Sequence, residues 1–82
     1  MQVENISCHQ LRAARAALGL SVREVAELTG IGTATIVRCE DPGSAHQATK
    51  RTTSALITFY ETAGIEFIGT PDDRPGIRIN TK

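Results

Sequence analysis

Arg12, Arg15, Arg23, Arg38, Lys50 and Arg51 all fall between residues 12 and 51, and they are the side chains best equipped to grip an anion. Guanidinium and ammonium groups donate to phosphate oxygens, and a guanidinium can also span the two acceptors of a guanine edge. Around Arg38 stand Thr33, Ala34, Thr35 and Val37, which offer hydroxyls and methyl groups at the spacing of a helix surface. Such a set suits the edges of base pairs. Other chemistries find less support. Cys8, His9, Cys39 and His46 match no zinc-ligand spacing, so no metal is expected. His9 reads as an exposed first-turn residue and His46 as a loop residue. The chain has no glycine-rich phosphate loop, no His-Glu metal motif and no spaced nucleophile and base. No enzymatic activity and no cofactor are expected.

The elements that must position these side chains lie in Ser21 to Glu40, SVREVAELTGIGTATIVRCE. Ser21 with Glu24 three residues on is a capping box, which starts a short helix. Val25, Ala26 and Leu28 supply its mostly apolar side. Gly30 ends it, since glycine enters the left-handed conformation without a Cβ penalty. Ile31 then turns into the core. A second short helix runs from about Thr33 to Cys39, with Ile36 and Cys39 inward at i, i+3 and Thr33, Ala34, Val37 and Arg38 on the other side. Ala26 stands where the two helices cross, where a large side chain would push them apart. This is the layout of a helix-turn-helix, whose second helix can lie in a DNA major groove. An ordinary helical hairpin is the alternative reading of the same pattern.

The rest of the chain builds a support. Ser7 and Gln10 form another capping box, opening a first helix at about Cys8. Leu11, Ala14 and Leu18 mark its buried face, with Arg12 and Arg15 at the margin. Gly19 ends it, and Leu20 supplies the apolar contact after the cap. Asp41-Pro42-Gly43-Ser44 is a turn, and Ala45 to Lys50 is either a loop or one irregular turn. A further helix runs from about Thr52 to Ala63, with Ala55, Leu56, Phe59, Tyr60 and Ala63 as its apolar stripe. Gly64 caps it and Ile65 follows. Beyond that the period falls to two. Ile65 and Phe67 flank Glu66, and Ile77 and Ile79 flank Arg78, which predicts a β-hairpin across GTPDDRPG with Glu66 and Arg78 paired on its outer face. The expected organisation is a helix-turn-helix bundle over residues 1–64 and a hairpin over 65–82.

Eighty-two residues, 40% of them hydrophobic, make one small domain. No run is long and apolar enough to span a membrane and no signal-peptide pattern opens the chain, so a cytoplasmic location is expected. Two cysteines are too few for a disulfide framework, and both are expected as buried free thiols. Nine basic residues balance nine acidic ones. A neutral module binds DNA weakly, because few phosphates are neutralised. A dimer is then needed for useful affinity.

LRAARAALGLSVREVAELTGIGTATIVRCE resembles the lambda-repressor-like, XRE-type helix-turn-helix family of transcriptional regulators. The likeness covers Leu11 to Glu40. It is most specific in Arg15 to Ser21, Ala26, Gly30 and Thr35 to Glu40. The tail, ETAGIEFIGTPDDRPGIRI, is similar to the tails of small bacterial regulators of this type. The resemblance implies a mainly α fold, a lambda-repressor-like bundle with a C-terminal hairpin, in which the helix at Thr33 to Cys39 reads DNA. It also implies that Arg15 and Glu40 form a structural ion pair tying the first helix to the end of the reading helix. The chain departs from the family in three places, one of them Val37, which stands where a polar residue is common. Val22 stands where a glutamine usually helps to hold the DNA, and the reading helix opens with Gly32, Thr33 and Ala34 in place of long polar residues.

Together these readings assign DNA contact to Val22, Arg23, Gly32, Thr33, Ala34, Thr35, Val37, Arg38, Lys50 and Arg51. The backbone N–H groups near Ser21 and Gly32 are expected to add to the phosphate contacts. Phe59, Tyr60, Ile65, Phe67, Ile77 and Ile79 are assigned to a twofold dimer interface. The alternative is a hairpin that folds back on its own helices. Two functions stay open: a homodimeric regulator, repressor or activator, on a palindromic double-stranded operator, and an adaptor or anti-activator that keeps the fold but binds another regulatory protein.

Overall fold

Ser7 starts the first helix as its residue type requires. Its hydroxyl accepts from the Gln10 N–H at 3.2 Å, and the Gln10 side chain accepts from the Ser7 N–H at 2.8 Å. The helix that follows, α1, spans Cys8–Ala17. The computed structural model describes residues 6–44, 48–70 and 72–80. After α1 come α2 (Val22–Thr29), α3 (Thr33–Glu40), α4 (Lys50–Thr62), β1 (Ile65–Thr70) and β2 (Asp73–Ile79). The fold is mainly helical with a C-terminal hairpin, as expected. His46, and the Ala45 to Gln47 part of the ambiguous segment, lie outside the described residues.

Two helix faces differ from the sequence expectation. Leu28 is 62% exposed. An eight-residue helix can bury only a narrow stripe, and in α2 that stripe is Val22, Val25, Ala26 and Thr29, at i, i+3, i+4 and i+7. Leu28 falls to one side of it. In α4 the stripe is rotated by one residue. Leu56, Ile57 and Tyr60 are buried and Phe59 is half-buried, while Ala55 and Ala63 face solvent. The larger side chains take the core and the alanines are displaced outward. The helix also starts earlier than expected, because Thr49 caps it by accepting from the Thr52 N–H.

β1 and β2 pair antiparallel, with Ile65 opposite Ile79, Glu66 opposite Arg78 and Phe67 opposite Ile77. The strands run further into the connector than alternation alone indicates. A bulge between Ile68 and Thr70 takes up one residue, and Gly69 there has φ of +75°, where a Cβ would lie 2.3 Å from the Arg74 carbonyl oxygen. Thr70 therefore still pairs with Asp73, leaving a short tip. Pro71, at that tip, lies outside the described residues.

The hairpin does not wait for a second subunit. α1 packs on β2 and α4 packs on β1. Ile65 and Phe67 join Leu11, Ala14, Val25, Ile36, Leu56 and Tyr60 in one core, so the two expected units share a single interior. The Tyr60 ring meets Phe67 edge-to-face, with centroids 6.4 Å apart. Tyr60, Ile65 and Phe67 are each 1% exposed or less, which corrects their assignment to a dimer interface. The hairpin's inward face is covered in cis, because the small bundle offers a ready apolar seat for a hairpin that is marginal alone. Of the expected dimer residues, Phe59 and Ile77 are half-buried against the same core, and Ile79 is exposed. The thiols also differ from each other: Cys39 is buried but Cys8 is half-buried.

Candidate nucleic-acid interface

α3 carries the site, and its seat is built from both ends. Gly30 closes α2 in the left-handed conformation at φ +79°. Gly32 caps α3, and its carbonyl accepts from the N–H groups of Thr35 and Ile36. Ile36 and Cys39 then anchor the inner side. At the far end Arg15 grips Glu40 with both carboxylate oxygens engaged: Nε donates to Oε2 at 2.9 Å and NH2 donates to Oε1 at 2.9 Å. Arg15 also donates to the Leu20 carbonyl. The adjacent carboxylate raises the Arg15 pKa above its usual value, keeping the guanidinium charged. Arg12 adds a hold that the sequence reading did not assign. Its NH2 donates to the Glu40 carbonyl at 2.7 Å, satisfying one of the open carbonyls at the end of α3. Two arginines of α1 thus fix the C-terminal end of α3.

With Ile36, Cys39 and Glu40 inward, Thr33, Ala34, Val37 and Arg38 are exposed on the outer side. Thr35 is half-buried and sits at the margin. Val22, half-buried at the start of α2, shares one open depression with Val37, Arg12, Arg15, Glu40 and Asp41. Arg23, Lys50 and Arg51 are exposed, and the last two form the first turn of α4. Arg23 is paired with Glu27 at 3.8 Å, but both side chains are largely in water, so the pair is weak and leaves Arg23 available. The N-terminus of α2 offers less to a phosphate than expected. The Ser21 N–H already donates to the Glu24 carboxylate at 2.8 Å, and the Ser21 hydroxyl takes the Glu24 N–H. Those hydrogen bonds hold the Glu24 carboxyl below its usual pKa, so it stays negative at this position. Gly32, with no side chain to occupy them, leaves the first N–H groups of α3 the more open pair of donors.

Gln10 is the other residue whose role the sequence concealed. Beyond the capping box, its Nε2 donates to the Ile68 and Gly76 carbonyls, at 2.8 and 2.9 Å, and it is 1% exposed. It fastens α1 to both strands of the hairpin.

This arrangement, a tight glycine turn between two short helices with the second held across the first, defines a helix-turn-helix. A family model described as "Helix-turn-helix domain" matches residues 9–67, well over half of the chain, and the chain belongs to that family. The matched region includes the first half of β1 as well as the helices. Comparison with curated proteins and with solved structures yields no match. No helix among the described residues is long and apolar enough to cross a membrane, and they hold no group of three or more potential metal ligands.

Proposed function

We propose that this chain is a sequence-specific, non-catalytic DNA-binding regulator of transcription that lays α3 in the major groove. One observation carries the reading. α3 is locked on one side by Ile36, Cys39 and the Arg15–Glu40 pair, while its other side presents Thr33, Ala34, Val37 and Arg38 to solvent. A rigid helix with an unengaged outer row of that size fits the groove. Arg23, Lys50 and Arg51 would contact phosphates on either side. Three such contacts give a salt slope of roughly −3 in log–log form, or about 40-fold between 50 and 200 mM salt. That is a small electrostatic share for one module. Two copies on half-sites about 34 Å apart would double it, so a homodimer on a palindromic operator is the assembly we propose. Its contact must use surface other than Tyr60, Ile65 and Phe67.

A second reading is favoured by one feature: Val22 and Val37 line the same depression, which suits a regulatory protein partner as well as DNA. Fluorescence anisotropy with duplexes flanking the chain's own gene separates the two. Saturable binding that weakens with salt and is lost in Arg38→Ala supports DNA readout. Binding that ignores salt and sequence, or none at 50 mM salt, refutes it. Analytical ultracentrifugation of the chain with and without the duplex tests the dimer.

A further inference from the structure

Ala34, Val37 and Arg38 stand at i, i+3 and i+4, so they form one ridge on the outer side of α3. The ridge has an unusual chemistry for a reading surface. Val37 is 54% exposed, and Val22 lines the same depression, beside Arg12, Arg15, Glu40 and Asp41. Arg38 is the single long hydrogen-bond donor among the exposed side chains of α3.

We infer that α3 selects thymine through its 5-methyl group, with Ala34 and Val37 as the specificity-determining contacts and Arg38 anchoring a neighbouring guanine or phosphate. This rests on the DNA-binding reading above and says what that surface recognises. The chemistry of the groove makes the assignment. Thymine is the one base with a methyl group on its major-groove edge; cytosine carries only a hydrogen at the same C5 position, and adenine and guanine present the N7 acceptor. An apolar side chain pressed on a purine N7 strips it of water and returns nothing, which penalises a purine, while at cytosine it merely finds no methyl to meet. Against a thymine methyl the same side chain buries apolar surface on both partners. The discrimination is therefore by an added contact at thymine, absent at cytosine, and by an unpaired acceptor at a purine. Val22 cannot donate to a phosphate as a glutamine would, but it can close the apolar wall beside Val37.

The test uses the full chain. A pool of randomised duplexes is enriched by binding, and the enriched duplex is then remade with deoxyuridine at one thymine at a time, which removes only the methyl. At one or two thymines per half-site the affinity should fall about three- to fivefold, the effect of losing roughly one buried methyl group. In Val37→Ala, and in Val37→Ser, which also leaves no methyl at the γ position, the ratio of thymine to deoxyuridine affinity should move toward one at one of those positions. Val37 lies outside the core, and an unchanged thermal melt confirms that the variants fold. Enriched duplexes that tolerate deoxyuridine at every thymine overturn the inference and leave DNA binding standing. Full thymine preference retained in both Val37 variants and in Ala34→Gly also overturns it. No enrichment over the input pool at low salt overturns both readings together.

Discussion

Replacing Gln10 should unfasten the hairpin from the bundle. In Gln10→Ala the Ile68 and Gly76 carbonyls lose their donor and the Ser7 N–H loses its acceptor. A buried polar group left without a partner costs about 1–3 kcal/mol. Ile68 and Gly76 are only partly buried, so some of that cost is recovered from water, and a total of about 2–4 kcal/mol is expected. A domain of this size is stabilised by roughly 4–12 kcal/mol in all, so one side chain would hold on the order of a third of the margin. The midpoint of thermal unfolding should drop by roughly 10–25 °C. Gln10→Glu isolates the donor. It keeps the chain length and the acceptor for Ser7, but sets a carboxylate against two carbonyl oxygens. Its deficit should match or exceed that of the alanine variant at neutral pH. The native state of this variant favours the protonated acid and so binds more protons than the unfolded chain. Its stability relative to the parent should therefore recover as the pH falls. Urea denaturation followed by circular dichroism measures both variants, and hydrogen exchange of the β1 and β2 amides shows whether the loss is local. A Gln10→Ala variant within about 0.5 kcal/mol of the parent, the range of an ordinary surface change, would refute the reasoning.

Glu40→Ala should cost about 2–3 kcal/mol, at the low end for a broken buried pair because the Arg15 side chain keeps 21% exposure. Arg15→Ala combined with Glu40→Ala should cost less than the two singles added, and a double-mutant cycle by urea denaturation showing strict additivity would count against the pair. Tyr60→Phe should be neutral or stabilising by up to about 1 kcal/mol, since the buried hydroxyl has no hydrogen-bond partner among the described residues. Burial pushes the Tyr60 phenol up to about 12, from 10.0. The unfolded chain then releases its proton first, and the parent should lose up to roughly 2–3 kcal/mol of stability between pH 10 and 12. The same titration of Tyr60→Phe by chemical denaturation should lack that component.

The starts of α1 and α2 and the stop of α2 were legible because each rests on a local event. Ser7 and Ser21 carry their own acceptors, and Gly30 carries its own conformational freedom. The Arg15–Glu40 contact was legible through resemblance. What escaped was set by the tertiary environment. Whether Ala55 or Ile57 turned inward depended on which side of α4 met the hairpin, and periodicity over one helix cannot fix a rotation of one residue. Gln10 and Arg12 looked complete as a capping residue and a surface cation. Their second roles join residues far apart in the chain, with no trace at short spacing. Tyr60, Ile65 and Phe67 were rightly seen as needing cover, but a sequence cannot say whether cover comes from its own helices or from a second chain.

The division of labour along α3 has a consequence for change over time. Ile36, Cys39 and Glu40 answer to the interior, while Thr33, Ala34, Val37 and Arg38 answer only to what lies outside. The two sets interleave in the sequence yet share no face. Substitutions in the second set are therefore close to silent for folding, whereas those in the first disturb the seat of the helix itself. A scaffold wired this way can drift from one target to another through a series of single exchanges, each leaving a folded protein, without first gathering spare stability.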